Sequence, residues 1–490
     1  MKISKSKFMA GVQCLKRLYL EVHEPELAIQ PDATDEAIIE QGREVGMLAQ
    51  QMFPGGIEVD CSKGLDAAIR RTRELVANSE VPAIFEGTFE YKNVLVRVDV
   101  LQRRRDGRWR LVEVKSTTDV KEHHLQDIAI QNRVVSGCGV ELASTCLAHV
   151  NRNYVREGPI DPRRFFKIRN LTHRFKRLKP ALVSQLRSQF RVLAMPTAPD
   201  LASGPQCTTP VVCEFFDYCN PPKPNNHISY LPRLHASAME ELEEMGIETI
   251  QDIPDDFELS EIQRRACTSV KTGSLWFSPD LKTQLESLKY PLCFMDFETV
   301  NPAIPKFDGM SPYSHLCFQW SVHRVTRPGA EPEHFEFLAM DGADPRAAFL
   351  SSLCEALGER GSIVVYNQKF EEQRICELAE WLPDYANRVE EIKARLWDLL
   401  PAMRNYVYHP AFAGSFSLKA VLPALVPGLT YEGMEVSNGQ AAGLAWRSLI
   451  QVGLDDVQRE KIKNGLLAYC SQDTLGLHRI VEALALRARN

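Results

Sequence analysis

Three short stretches of this 490-residue chain carry acids at spacings that metal chemistry can use. The apolar run 292–299 is interrupted by Asp296 and Glu298, which share one face of a strand because they lie two residues apart. Carboxylates at the end of a buried strand are costly unless a cation holds them. A second apolar strand, 362–367, leads into Phe370 and Glu371 as a helix begins. Tyr469 and Asp473 sit four apart in a helical pattern and so share a helix face. Asp398, in the stretch 396–400, is a further acid to which spacing assigns no role.

A different constellation stands earlier. The strand-like runs 95–101 and 110–115 flank Asp106-Gly107, a hairpin turn signal. Counted outward from that turn, Asp99 and Glu113 come within one residue of facing each other. Glu113 and Lys115 point to one face of their strand. Two carboxylates and an ammonium in one place suit phosphodiester cleavage: the acids hold a divalent cation and the lysine orients water or steadies developing charge.

Thirteen cysteines in a chain expected in the cytoplasm are not expected to pair as disulfides. Cys138, Cys146, Cys293, Cys317 and Cys354 are expected to be small buried apolar residues. Cys207, Cys213 and Cys219 are evenly spaced. Three such thiols suggest a metal whose fourth ligand comes from elsewhere, and Cys14 is the candidate.

The elements that must position these groups fall into two large parts. Residues 1–222 mix helix and strand patterns, 223–286 read as a linker and a small helical hairpin, and 287–490 open on a new β-rich start. No run of apolar residues is long enough to cross a membrane, and no apolar core follows the charged N-terminus. A cytoplasmic location is therefore expected. Net charge is −6, yet residues 160–192 carry Arg163, Arg164, Lys167, Arg169, Arg174, Lys176, Arg177, Lys179, Arg187 and Arg191 against Asp161 alone. With Phe165, Phe166 and Phe175 between them, this stretch has the composition of a surface that tracks a phosphate backbone.

Asp99, then Glu113 and Lys115 after a hairpin, then Gln131 on the next helix resembles the PD-(D/E)xK restriction-endonuclease-like fold, in particular RecB-like exonucleases including CRISPR-associated ones. The resemblance implies metal ligands at Asp99 and Glu113, a catalytic Lys115 and a supporting Gln131. Where many members place a first-helix histidine this chain has Gly46, with Glu40 and Glu44 as nearby acids. Cys14 with the trailing trio resembles the iron–sulfur RecB-like and AddB-type nucleases, which implies a 4Fe–4S cluster stapling the domain's ends, zinc being the alternative occupant.

Asp-x-Glu, Asn-x-x-Phe-Glu and Tyr-x-x-x-Asp, in that order, resemble the DnaQ-like (DEDD) 3′–5′ exonucleases on the RNase H fold. That resemblance implies Asp296, Glu298, Glu371 and Asp473 as ligands for two Mg²⁺ or Mn²⁺ ions, with Tyr469 orienting the nucleophile. The fusion resembles a bacterial family of RecB-like nucleases with a DnaQ-like tail. The expectation is an α/β chain of two nuclease domains, a hydrolase cutting single-stranded or flapped DNA rather than RNA, in repair, CRISPR adaptation or phage defence. Two alternatives stand beside it: a single working site whose companion domain binds substrate, and a non-catalytic iron–sulfur scaffold that binds nucleic acid.

Overall fold

The computed structural model describes residues 2–451 and 453–489, apart from the side chains of Lys176 and Arg489. The chain is mixed α/β and forms two compact units, Met1–Pro222 with Pro302–Ser314, and Lys223–Asn301 with His315–Asn490.

In the first unit the strands are β1 (Ile3–Ser4), β2 (Ile57–Glu58), β3 (Ala83–Tyr91), β4 (Val94–Arg103), β5 (Trp109–Lys115), β6 (Leu142–Val150) and β7 (Phe166–Asn170). They form one sheet in the order β2-β3-β4-β5-β6-β7, with β1 lying parallel on β4. Strands β3, β4 and β5 run antiparallel, and β6 joins β5 in parallel. The β4–β5 turn closes through the Arg104 N–H, which donates to the Arg108 carbonyl at 2.8 Å. Gly107 there has φ 78°, which a residue without Cβ adopts freely.

Helices α1 (Lys5–Gln13), α2 (Leu15–His23), α3 (Ala33–Gln50), α4 (Leu65–Ala77) and α5 (Glu122–Gly137), with a longer helix at Thr172–Leu193, surround this sheet. Phe8, Leu18, Ile128 and Leu186 from the helices meet Val96, Val98, Leu111 and Leu147 from the strands in one core. Each such side chain, fully buried, contributes about 1.5–3 kcal/mol. The segment Pro302–Ser314 packs here too: the Arg156 N–H donates to Met310 O at 3.0 Å and the Gly309 N–H to Arg156 O at 2.9 Å.

The basic stretch keeps its charges in solvent but not its aromatics. Arg163, Arg164, Arg169, Arg174, Arg177, Lys179, Arg187 and Arg191 are exposed, whereas Phe165, Phe166 and Phe175 are buried. These three rings fill the core and so offer no stacking surface beside the cations. The Lys176 side chain lies outside the described residues. Cys138 also departs from expectation. Cys146, Cys293, Cys317 and Cys354 are buried, but Cys138 caps the solvent end of α5 and is exposed.

The second unit adds β8 (Trp276–Phe277), β9 (Leu292–Val300), β10 (Leu316–Val325), β11 (Glu333–Leu338), β12 (Ile363–Val365), β13 (Leu396–Asp398) and β14 (Val407–Tyr408). Five of these form a sheet in the order β11-β10-β9-β12-β13, and β8 pairs with β14. Strands β9, β12 and β13 are parallel to one another. The helix Gln368–Trp381 crosses from β12 to β13. In such sheets the crevice beyond the carboxyl ends of the parallel strands is where ligands bind.

The helices Ala236–Glu244 and Glu261–Thr272 do not stand as a free hairpin. Leu242, Ile250, Ala266 and Val270 share one core with Phe294, Val364 and Leu477. Among the described residues, no helix is long and apolar enough to cross a membrane.

Candidate functional sites: two acidic centres and a thiol quartet

The first centre forms where the β4–β5 ladder stops. Pairing runs from Arg103↔Trp109 to Val100↔Val112. At the next position the Asp99 carboxylate replaces the ladder partner and accepts the Val114 N–H at 2.7 Å. This holds Asp99 over the strand that carries Glu113. One oxygen of Glu113 accepts from Lys115 Nζ and Lys5 Nζ, both at 2.8 Å, and the other from Gln131 Nε2 at 2.6 Å. Asp127, one turn before Gln131 on α5, accepts from Lys115 Nζ at 2.5 Å and from Gln131 Nε2 at 3.0 Å. Lys5 also approaches Asp127, at 3.3 Å.

Asp99, Glu113, Lys115 and Gln131 thus come together as expected, and Lys5 and Asp127 join them. Asp127 was open to inspection, because it lies four residues before Gln131 on the same helix face. Lys5 was not, since α1 brings it from 108 positions away. Glu86, half-buried and at φ 55°, is skipped in the β3–β4 ladder opposite Asp99, and it pairs with Arg97 at 3.8 Å on the rim. Glu40 is exposed and pairs with Arg43 at 2.7 Å, so its carboxylate turns to solvent, while Glu44 is half-buried on the same helix.

The charges here nearly balance. Burial, and then the neighbouring Glu113 charge, push Asp99 well above the usual carboxylate range. Burial opposes ionisation of Glu113 as well, but Lys115 and Lys5 outweigh it and hold that group low. The same acids keep both ammoniums charged against the cost of burying them.

The second centre lies at the carboxyl ends of the parallel strands. Strand β12 pairs with only Cys293 and Phe294 of β9, so Asp296 and Glu298 extend beyond its end. The chain leaves β12 through Asn367, at φ 85°, and enters the helix that carries Glu371. Tyr469 and Asp473 come from the last helix, Asp456–Arg489. Glu298, Glu371, Tyr469 and Asp473 are buried and Asp296 nearly so.

Their electrostatics show that they share one space. Burial first, then Asp473, pushes Asp296 far up. Burial, Asp296 and Asp473 do the same to Glu298. Glu371 rises to about 9 through burial and then Asp296. One oxygen of Glu371 is buried with no hydrogen-bond partner among the described residues. Asp296, Glu298 and Cys470 offer donor atoms that all lie within 4.8 Å of one another. The Cys470 thiol points at the Asp296 carbonyl, 3.8 Å away, and burial and then Asp296 keep it protonated.

Two more groups complete this centre. The Tyr431 hydroxyl donates to Asp473. Lys419 Nζ lies 5.7 Å from the Tyr431 ring centre and 5.8 Å from that of Tyr469, and it pulls Glu298 and Asp473 toward ionisation. Neither residue stands out in the sequence, where Tyr431 falls 42 and Lys419 54 positions before Asp473.

Asp398 now has a role, and it is structural. Its oxygens accept the N–H groups of Asn367, Gln368 and Leu400, each at 3.0 Å. It thereby caps the helix Leu399–Tyr406 and ties down the start of the helix that carries Glu371. Asp398→Ala is expected to lower stability by about 1–2 kcal/mol in thermal denaturation, and Asp398→Asn to restore about half of that loss.

The four thiols collect at the joined ends of the first unit. Cys14 lies between α1 and α2, and Cys213 N–H donates to Cys207 O at 2.9 Å. Gln13 Nε2 donates to Gln206 O at 2.7 Å, Arg17 pairs with Glu214 at 2.8 Å, and Lys16 lies over the Tyr218 ring. Burial raises the thiols of Cys213 and Cys219, and the nearby Cys14 adds to both, with Cys207 acting on Cys219 as well. Among the described residues, no three of these sulfurs fall within 4.8 Å of one another. A tetrahedral zinc–thiolate site needs sulfurs roughly 3.8 Å apart.

Comparison with known sequences adds the following. A family model described as a domain of unknown function, DUF2779, matches residues 293–417. That span holds Asp296, Glu298, Glu371 and Asp398 and ends before Tyr469 and Asp473. The chain is 25% identical over 216 residues to a protein of Ureaplasma parvum described as uncharacterized protein UU173, covering 40% of this chain and 31% of that one. It is 23% identical over 212 residues to the uncharacterized protein MG366 homolog of Mycoplasma pneumoniae, covering 39% and 32%. The chain therefore spans about a third of the length of these relatives.

Proposed function

We propose that this chain hydrolyses phosphodiester bonds in single-stranded DNA, through a RecB-like PD-(D/E)xK site in its first unit and a DnaQ-like site in its second. The observation that carries this reading is the second centre: four carboxylates crowd one buried space, and one oxygen of Glu371 has no partner among the described residues. Such a group costs several kcal/mol unless a proton or a cation compensates it.

Both donor sets fit hard divalent cations, being carboxylates throughout. Asp99, Glu113 and Asp127 would hold one such ion beside two lysines. Asp296, Glu298, Glu371 and Asp473, partly offset by Lys419 and Arg374, would hold two. When bound, Mg²⁺ or Mn²⁺ supplies charge to the phosphate and acidifies the attacking water.

The chain's own residues do the rest. Lys115, fixed between Glu113 and Asp127, presents an ammonium to the phosphate or to water at the first centre. Gln131 fixes the orientation of Glu113 through its amide. At the second centre Tyr469, whose hydroxyl burial keeps protonated, offers a donor beside Asp473 to orient the nucleophile. The four thiols would hold a 4Fe–4S cluster with a structural task, since hydrolysis requires no electron transfer. The exposed cations of 163–191 supply attraction for a phosphate backbone.

The test is incubation of the purified chain with end-labelled single-stranded DNA and with RNA of the same sequence, in Mn²⁺, Mg²⁺ and EDTA. Metal-dependent shortening of the DNA, faster than of the RNA, is expected. Two intact substrates in every metal would rule the reading out.

A further inference from the structure

The first centre contains a lysine that its sequence motifs do not include. Lys5 is the first residue of α1, and its backbone is pinned because β1 lies on β4 in the register Ile3↔Val94 and Ser4↔Leu95. Its side chain reaches Glu113 and Asp127 and is about a quarter exposed. Its Nζ shares one Glu113 oxygen with Lys115, each at 2.8 Å. The other Glu113 oxygen is taken by Gln131. Both lone pairs of that first oxygen are therefore engaged, and a cation can take it only if one ammonium withdraws, whereas the oxygen facing Gln131 keeps one lone pair.

Two ammoniums on one oxygen repel each other, and the arrangement shows which is the looser. Lys115 lies on the same strand as Glu113 and grips Asp127 at 2.5 Å. Lys5 reaches Asp127 at only 3.3 Å, from a separate helix. A four-carbon stem lets that ammonium swing while α1 stays in place.

We propose that Lys5 is a phosphate-contacting residue of the first centre, held on Glu113 and Asp127 while they lack a cation and free to turn to the scissile phosphate once they carry one. The inference rests on the hydrolytic reading of this centre. It also gives the centre a built-in restraint, because Lys5 and a divalent cation compete for the same oxygens.

The experiment uses the full chain carrying Asp296→Asn, which silences the second centre, with Lys5→Met, Lys5→Gln, Lys5→Arg or Lys115→Ala added. Mn²⁺ binding is followed without DNA by the loss of the free-ion electron paramagnetic resonance signal. Cleavage of single-stranded DNA is followed at saturating Mn²⁺. Lys5→Met and Lys5→Gln are expected to bind Mn²⁺ about 3- to 10-fold tighter yet cleave roughly 10- to 100-fold slower. Lys5→Arg, which keeps the charge, should stay within about threefold of its parent on both counts. Unchanged or weaker Mn²⁺ binding by both neutral variants overturns the competition, and unchanged cleavage overturns the phosphate contact. If Lys115→Ala cleaves as well as its parent, the hydrolytic reading of the centre fails instead, and the Mn²⁺ titration still decides what Lys5 does.

Discussion

Asp296→Asn is expected to stop cleavage by the second unit, by at least ~10³-fold, and in the same protein to stabilise the cation-free chain. The two effects share a cause. Asp296 is the group that raises Glu371 after burial, and it raises Glu298 as well. Removing its charge takes away a donor the reaction needs and a repulsion the fold must bear. The gain should be about 1–2 kcal/mol at pH 8, read as a rise of roughly 2–8 °C in melting temperature.

The pH dependence follows with a definite sign. A carboxyl whose folded-state pKa is raised binds more protons folded than unfolded, so its contribution to stability is present below the unfolded pKa and is lost as pH climbs to the folded one. For Glu371 that window runs from its ordinary 4.5 to about 9. The cation-free chain should therefore melt progressively lower between those values, and added Mn²⁺ should reverse the trend. In the first centre the two acids oppose each other: Asp99, raised to about 8 by burial and then Glu113, follows Glu371, while Glu113 runs the other way. Glu113 is held low by Lys115 and Lys5 against its burial, so its contribution persists at neutral pH and fades only in acid. A scan of melting temperature against pH, with and without Mn²⁺, checks both. A flat profile for wild type and Asp296→Asn alike would contradict the charge crowding.

Cys14→Ser should produce the other large effect, a loss of at least ~3 kcal/mol from the first unit, equivalent to a fall of roughly 6–12 °C. In the proposed cluster Cys14 would join the two ends of that unit, beside the polar ties of Gln13 to Gln206 and Val211 and of Arg17 to Glu214 and a small apolar cluster of Tyr19, Leu20, Cys213 and Phe215. Polar ties of that kind contribute little alone. Cys14 also closes the helix that begins at Lys5, so its loss should slow the first centre. Purified wild type should be brown with broad visible absorbance, and the variant colourless. A colourless wild type containing one equivalent of zinc would replace the cluster by a zinc site.

Much of this was legible in the sequence, for reasons that also mark the limits. The hairpin carrying Asp99, Glu113 and Lys115 is local, and turn chemistry with alternation is enough to draw it. Asp296 with Glu298, and Tyr469 with Asp473, need only the periods of a strand and a helix. What escaped is what tertiary folding brings from afar: Lys5 onto Glu113, and Tyr431 and Lys419 onto Asp473. A lysine in a charged N-terminus and a tyrosine in a loop have no local signature. Asp398 is a different case. An acid just before a helical run is a capping signal, but in company with other acids its role stays unassigned by spacing alone. The phenylalanines of the basic stretch misled similarly, because composition does not say which way a ring points.

The most direct measurement compares wild type, Lys115→Ala, Asp296→Ala and the double variant on end-labelled single-stranded DNA in Mn²⁺. Each single variant should lose part of the activity, with a changed product ladder, and the double variant should lose all of it. Full activity in the double variant would contradict both centres at once.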